Sequence, residues 1–252
     1  MNFKDMSAKN ILISQKQPQT ASPYDALAEK FGVKFDFFPF FRTEPLTSRE
    51  FRAQKINISD YTAIVFSART TIDAFFQICD ELRVRIPETM KYFCTTEIVA
   101  NYLQKHIVYR KRKIFFGDGK PESVMSLIGP KHKGEKFLIT TSDATGKDAI
   151  TKLFESTQLD FSTGVFVKSV PQDLKEIDLH KYDVIVVFNA ADVKSLYANF
   201  PEFKQENIKF ITYGRSVVKA MEEAGLKIEI SAPTPEIPSV SKALENYLVN
   251  EH

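Results

Sequence analysis

Tryptophan is absent from this 252-residue chain, and cysteine is scarce, with two residues and no CxxC pair. Cys79 and Cys94 can build neither a disulfide framework nor a zinc ribbon, and isolated thiols of this kind suit a reducing cytoplasm. The four histidines, His106, His132, His180 and His252, have no second ligand at metal spacing, so no metal site is expected. Nine glycines form no phosphate loop; Gly117-Asp118-Gly119 fits neither a GxGxxG nor a Walker pattern. No G-x-S-x-G elbow supports a serine hydrolase. The carboxylate pairs Asp80-Glu81 and Glu222-Glu223 fall on helix surfaces. A formal charge of +2 gives no pull toward nucleic acid or membrane. No apolar run approaches bilayer length, and the opening MNFKDMSAKN carries charges where a secretory signal needs an apolar core.

What is present is a repeated strand–turn–helix plan. Asp183–Phe188 (DVIVVF) is a continuous apolar run, the mark of a strand covered on both faces. Asn189-Ala190-Ala191-Asp192 interrupts it, and a helical pattern continues to Phe200. Ile208–Thr212 repeats the strand, Tyr213-Gly214-Arg215-Ser216 the turn, and Val217–Ala224 the helix, closed by Gly225. The same plan occurs earlier: strand Thr62–Phe66, turn Ser67-Ala68-Arg69-Thr70, helix Ile72–Leu82, then Met90–Phe93, Cys94-Thr95-Thr96-Glu97 and helix Ile98–Leu103. Phe66 matches Phe188 and Ala100 matches Ala220, an offset of about one small domain. We read an internal duplication.

The remaining segments show how the halves connect. Asn10–Ser14 is a first strand, and Ser22-Pro23 opens a helix that Gly32 stops. Val33–Phe41 is extended, with Pro39 placing it at an edge or in a connection. Arg42–Asp60 is polar, part loop and part helix. Ser123–Ile128 and Asp148–Phe154 are helices flanking the strand Lys136–Thr140, and Phe161–Val170 is extended again. Lys227–Ile230 and Val240–Leu248 supply a last strand and helix, separated by the proline-stiffened Ala232-Pro233-Thr234-Pro235. Pairing 33–41 with 161–170 makes a two-strand linker. The expected fold is therefore α/β: two similar parallel-sheet, flavodoxin-like domains with a cleft between them. Domain 1 is discontinuous, 1–38 plus 169–252, and domain 2 is the insert, 42–165. A monomer is expected.

Ligands of open parallel sheets bind at the carboxyl ends of the strands. The candidates there are Ser14, Gln15 and Lys16; Ser67, Ala68, Arg69 and Thr70; Thr95 and Thr96; Thr141 and Ser142; Asn189; and Tyr213, Gly214, Arg215 and Ser216. Singly, such Ser and Thr residues are ordinary helix caps. As a set they expose backbone N–H groups at helix starts, a ready place for carboxylates or phosphates. The basic cluster Arg110-Lys111-Arg112-Lys113 reads first as a solvated turn. The pattern points to holding an anionic ligand, not to an acid–base apparatus.

With these motifs in this order, the chain resembles the uroporphyrinogen-III synthase family over essentially its whole length. The resemblance rests on strand Asn10–Ser14, on Asp60–Ile72 (DYTAIVFSARTTI), on Tyr182–Leu196, and on Ile208–Gly225 followed by Ser231–Pro235 (SAPTP). It implies a cofactor-free enzyme of porphyrin and haem biosynthesis. The substrate would be hydroxymethylbilane, a linear tetrapyrrole with eight carboxylates, closed in a cytoplasmic lyase reaction with inversion of the last pyrrole ring. Departures from the family pattern imply a second reading. Val167 stands where the family often has a tyrosine suspected of helping the hydroxyl leave. Asn189-Ala190-Ala191-Asp192 replaces an S-P-S/A-type turn, so that Asp192 is expected to set a negative charge before the incoming anion. Ser216-Val217-Val218 replaces T-T-A. A family member that binds a tetrapyrrole or other polycarboxylate without turnover would accommodate Val167, Ala191 and Asp192.

Overall fold

The computed structural model describes residues 9–143 and 149–250. It divides into two units, Met1–Arg42 with Val170–His252, and Thr43–Ser169. The opening eight residues, the expected helix start at Asp148 and His252 lie outside the described residues. The chain begins with β1 (Asn10–Ile13), α1 (Pro23–Phe31) and β2 (Lys34–Phe37). It continues through β3 (Phe41–Pro45), α2 (Ser48–Arg52), β4 (Ala63–Phe66), α3 (Arg69–Leu82), β5 (Lys91–Cys94) and α4 (Glu97–Tyr102). Next come β6 (Ile114–Phe116), α5 (Pro121–Ile128), β7 (Lys136–Ser142), α6 (Ala149–Glu155) and β8 (Asp160–Pro171). The last third is β9 (Val184–Val187), α7 (Ala190–Asn199), β10 (Lys209–Tyr213), α8 (Arg215–Glu223), β11 (Ile228–Ala232) and α9 (Val240–Asn250).

Unit 1 is a five-stranded parallel sheet in the order β2-β1-β9-β10-β11. Numbered within the unit this is 2-1-3-4-5, the flavodoxin order. In unit 2 the parallel strands run β6-β5-β4-β7-β8, which is 3-2-1-4-5. The two arrangements are one plan with its sequence permuted: β4, β5 and β6 stand where β9, β10 and β11 stand, and β7 and β8 where β1 and β2 stand. Central strands β4 and β9 are buried at all four positions, as strands covered on both faces must be. Alternation splits their side chains between two cores. Ile64 and Phe66 pack with Phe75 and Ile78 of α3, while Ala63 and Val65 pack with Val124 of α5 and Phe154 of α6. Phenylalanine does the filling that tryptophan does elsewhere: Phe40, Phe51, Phe66, Phe75, Phe93, Phe137, Phe154, Phe166 and Phe210 are fully buried, each stabilising by about 2–3 kcal/mol.

The linker differs from expectation. Val33–Phe41 is not one strand paired with 161–170. Its first part is β2, parallel to β1 in the sheet of unit 1, with Phe35 and Phe37 against Tyr24 of α1. On its side away from β7, β8 pairs with β3. The Gln172 N–H donates to Phe40 C=O at 2.8 Å and the Leu46 N–H to Phe166 C=O at 2.8 Å, so the two run antiparallel. Pro39 explains the break, since it has no N–H to continue a ladder and fixes its own φ. The chain thus passes between the units twice, along β3 and the end of β8. Arg42–Asp60, expected as polar loop and helix, contains all of β3 but its first residue, and α2.

Candidate functional site

In unit 1 the chain leaves β1 toward β2 on one side and leaves β9 toward β10 on the other. Loops after β1 and β9 therefore part at the point where ligands of such sheets bind. Ser14 directly follows β1 and is buried; Gln15 and Lys16 are exposed beyond it. Asn189 is the N-cap of α7 in a capping box whose third residue is Asp192. One carboxylate oxygen of Asp192 accepts from Ser14 Oγ at 3.0 Å, Phe188 N–H at 2.9 Å and Asn189 N–H at 3.0 Å. Its other oxygen, Oδ1, has no hydrogen-bond partner among the described residues. Burial raises the carboxyl to about 6 even though these three donors oppose the shift. The expectation that Asp192 meets an incoming anion is thus overturned: its side chain is 0% exposed. At the third position of a helix a carboxylate turns back toward the N-cap, and here that direction is the interior.

After β10, Gly214 is the N-cap of α8 with φ 112° and ψ 152°, and no side chain caps the helix. Its N–H donates to Ala232 C=O at 2.7 Å. Arg215 and Ser216 are exposed in the first turn, which holds no acidic residue. Tyr213 is also exposed, its ring 6.3 Å from that of Phe188.

In unit 2, Ser67 is exposed and Ala68 is the N-cap of α3, again without a side-chain cap or an acid in the first turn. Arg69 opens that helix with exposed Thr70 beside it. The Arg69 guanidinium lies 5.8 Å from the centre of the Tyr102 ring, and Tyr102 donates to Asp73 at 2.7 Å. Thr95 Oγ1 donates to Ser67 C=O at 3.3 Å, and Thr96 caps α4 by accepting from Val99 N–H at 3.3 Å. Thr141 is placed differently. It is buried, and its hydroxyl donates to Gly164 C=O at 3.1 Å, so it fastens β7 to β8. Ser142, the last residue of β7, is half-buried. Val167 belongs to the core around Phe66 and Phe75.

The structure separates four helix starts that look alike in sequence. Asn189 and Asp192 close α7, and Thr96 and Glu97 serve α4. The helices α3 and α8 begin with Ala68-Arg69 and Gly214-Arg215, with neither a capping side chain nor an acid. Their first-turn N–H groups and an arginine are left for an outside anion, favoured by the positive end of the helix dipole. Each unit supplies one such start. The signal was legible: Ala and Gly stand where the other two helices carry Asn and Thr. Ile98 and Phe116 were missed. Both are exposed and line an open groove of about 810 Å³ with Thr96 and Gly117. Ile98 reads as core at helical spacing, so no signal marked it.

Other candidates fall away. Cys79 and Cys94 are buried, and burial pushes each thiol up to about 12, where no useful thiolate exists. Among the described residues no three His, Cys, Asp or Glu side chains could hold a metal, and no helix is long and apolar enough to cross a membrane. Arg110 pairs with Glu88 at 2.8 Å, and Lys113 donates to the Glu88 carbonyl. That cluster lies at the amino end of β6, away from the ligand edge.

Residues 22–242 match the family described as uroporphyrinogen-III synthase HemD. Among solved structures, uroporphyrinogen-III synthetase from Helicobacter pylori is similar at 15% identity, with TM-score 0.54, over 96% of this chain and 99% of that one. A mutant uroporphyrinogen III synthase from Thermus thermophilus is similar at 17% identity, with TM-score 0.48, over 97% and 100%. No curated protein matches the sequence.

Proposed function

This chain belongs to the uroporphyrinogen-III synthase family, and from that premise we propose that it cyclises hydroxymethylbilane to uroporphyrinogen III. Water is lost from the hydroxymethyl end, the last pyrrole ring is inverted and the macrocycle closes. The observation that carries this reading is the pair of open helix starts at Ala68-Arg69 and Gly214-Arg215. In either unit a carboxylate at the open start accepts from that helix's first-turn N–H groups and its own guanidinium group, Arg69 on α3 or Arg215 on α8, where charge-assisted bonds are strongest. Holding a flexible substrate in reacting geometry supplies up to about 7–11 kcal/mol in the best intramolecular cases. Donors that stabilise the departing hydroxyl would add to this.

Incubation with freshly generated hydroxymethylbilane tests the proposal. The type III isomer is expected; type I alone, at the rate seen without protein, would overturn it. Arg69→Ala and Arg215→Ala should each weaken binding of a porphyrin octacarboxylate by about 1.5–3 kcal/mol. Unchanged affinity would remove that arginine from the site. One observation favours binding without turnover: buried Val167 offers no proton where the family often has a phenol. Tight binding with only the type I product would select that reading.

A further inference from the structure

We propose that the outer edge of β6 in unit 2 takes up an extended segment of a partner protein, acidic and apolar in composition, which adds to the sheet as a further strand. Neither Arg69 nor Arg215 takes part, and this surface owes nothing to the polycarboxylate reading.

Four strands end the two sheets: β2, β11, β3 and β6. Natural edges carry charges or proline that discourage a new strand. β2 has Lys34 and Asp36, β11 has Glu229, and β3 has Arg42, Glu44 and Pro45. β6 is Ile114-Phe115-Phe116, with neither a charge nor a proline. Its register places its backbone groups. Tyr92 N–H donates to Lys113 C=O at 2.8 Å and Gly117 N–H to Cys94 C=O at 3.0 Å, with Tyr92 opposite Ile114 and Cys94 opposite Phe116. Residues 113, 115 and 117 therefore face β5, and the N–H and C=O groups of Ile114 and Phe116 point outward. Among the described residues no strand but β5 is bonded to β6.

Apolar exposure is concentrated along the same edge. Five large apolar side chains are exposed among the described residues, and three of them are Ile98, Val108 and Phe116. At the amino end of β6 a cavity of about 210 Å³ is lined by Ile86, Ile107, Val108 and Ile114, with Arg110 and Lys113 also on its wall. At the carboxyl end Ile98 and Phe116 share an open groove. Apolar surface exposed in this way marks protein association. Charge then selects the segment. Arg110 is held by Glu88, the one acid on the cavity wall. Lys111 and Arg112 are exposed, and their side chains have no ion pair or hydrogen bond among the described residues. Acidic residues beside the apolar ones complement this end of the strand. Backbone pairing supplies the affinity of an added strand, and pockets supply its selection. A helical surface would leave the outward groups of Ile114 and Phe116 unpaired.

Two end-blocked hexapeptides test this. One has three acidic residues followed by leucine, valine and phenylalanine; the other reverses the order, so that either strand direction brings acids to Lys111 and Arg112. Added at millimolar concentration to isotope-labelled protein, one of them should shift the Ile114 and Phe116 amide resonances. At saturation it should slow their hydrogen exchange by about tenfold. The double variant Lys111→Glu with Arg112→Glu should weaken that binding by about tenfold, and the same peptide N-methylated throughout should not bind. Unchanged exchange at Ile114 and Phe116 with both peptides overturns the proposal, as does equal binding by the N-methylated one. Anionic lipid vesicles that slow these amides where the peptides do not would assign the surface to a membrane and overturn it too. No tetrapyrrole is present in any arm, so failure here leaves the polycarboxylate reading as it stands.

Discussion

Asp192 also bears on stability, independently of any ligand. Its carboxyl returns to an ordinary value of 3.8 on unfolding and titrates at about 6 when folded. A group raised in this way lends its full stability below about pH 4 and withdraws it as pH climbs through 6, to a total of about 3 kcal/mol. Asp192→Asn removes that slope. Urea denaturation of both proteins at pH 4.5 and 7.5 should show the variant gaining on wild type by about 2 kcal/mol between the two. No relative gain would mean that the buried carboxylate is better compensated than its hydrogen bonds indicate. The sequence showed that an acid follows Asn189 by three residues; it did not show which way that acid turns. Burial depends on Ser14, 178 positions away, and no local pattern carries that distance. That Arg69 and Arg215 each stand at a helix start was legible, because a polar turn after an apolar strand places them without help from the rest of the chain.

At the level of elements, the caps of α3 and α8 connect binding to stability with opposite signs. Ala68 has the extended backbone of an N-cap, φ −148° and ψ 153°, but no side chain to fill the role. Ala68→Ser should stabilise the fold by about 1 kcal/mol and weaken octacarboxylate binding, because the serine oxygen occupies an N–H that the ligand needs. Thermal melts and a binding titration on the same preparation check both signs, and tighter binding would exclude α3 from the site. Gly214 cannot be treated the same way. A Cβ there would meet nothing nearer than Phe188 C=O at 3.9 Å, yet φ is +112°, and a side chain in that region costs about 1–3 kcal/mol. Gly214→Ala should therefore lower both stability and affinity. Strands with a continuous apolar run, such as β4 and β9, were readable because Ala-Ile-Val-Phe and Val-Ile-Val-Val are short, rich in β-branched residues and followed by polar turns, which favours a strand covered on both faces over a buried helix. The linker was not. Phe35, Phe37, Phe38, Phe40 and Phe41 make one aromatic stretch in sequence, and only Pro39 hints that two strands with different partners share it.

For the whole chain, the permuted strand order explains why the duplication was visible while its geometry was not. An offset of about 120 residues relates β4 to β9 and β5 to β10, but β7 and β8 follow β4–β6 in unit 2, whereas their counterparts β1 and β2 precede β9–β11 in unit 1. The bond from Gln172 N–H to Phe40 C=O at 2.8 Å holds the two ends of the unit 1 chain side by side. Deleting Thr43–Ser169 and joining Arg42 to Val170 through a short glycine linker should leave a five-stranded domain with both cores intact. A single cooperative urea transition with native-like circular dichroism is expected; a gradual, non-cooperative loss would mean that unit 1 depends on unit 2 for its stability.

That same permutation sets an order of events on the ribosome. Ile11, Leu12 and Ile13 are made before the strand that shields one edge of them, β9, which is translated only after the entire inserted domain. At about 5–20 residues per second the wait is on the order of 10–30 s. During that interval the insert has time to mature, while the amino-terminal hairpin of strand and helix stays tacky and unfinished. A nascent-chain trap should catch chaperones on this stretch, well before the final third has been made.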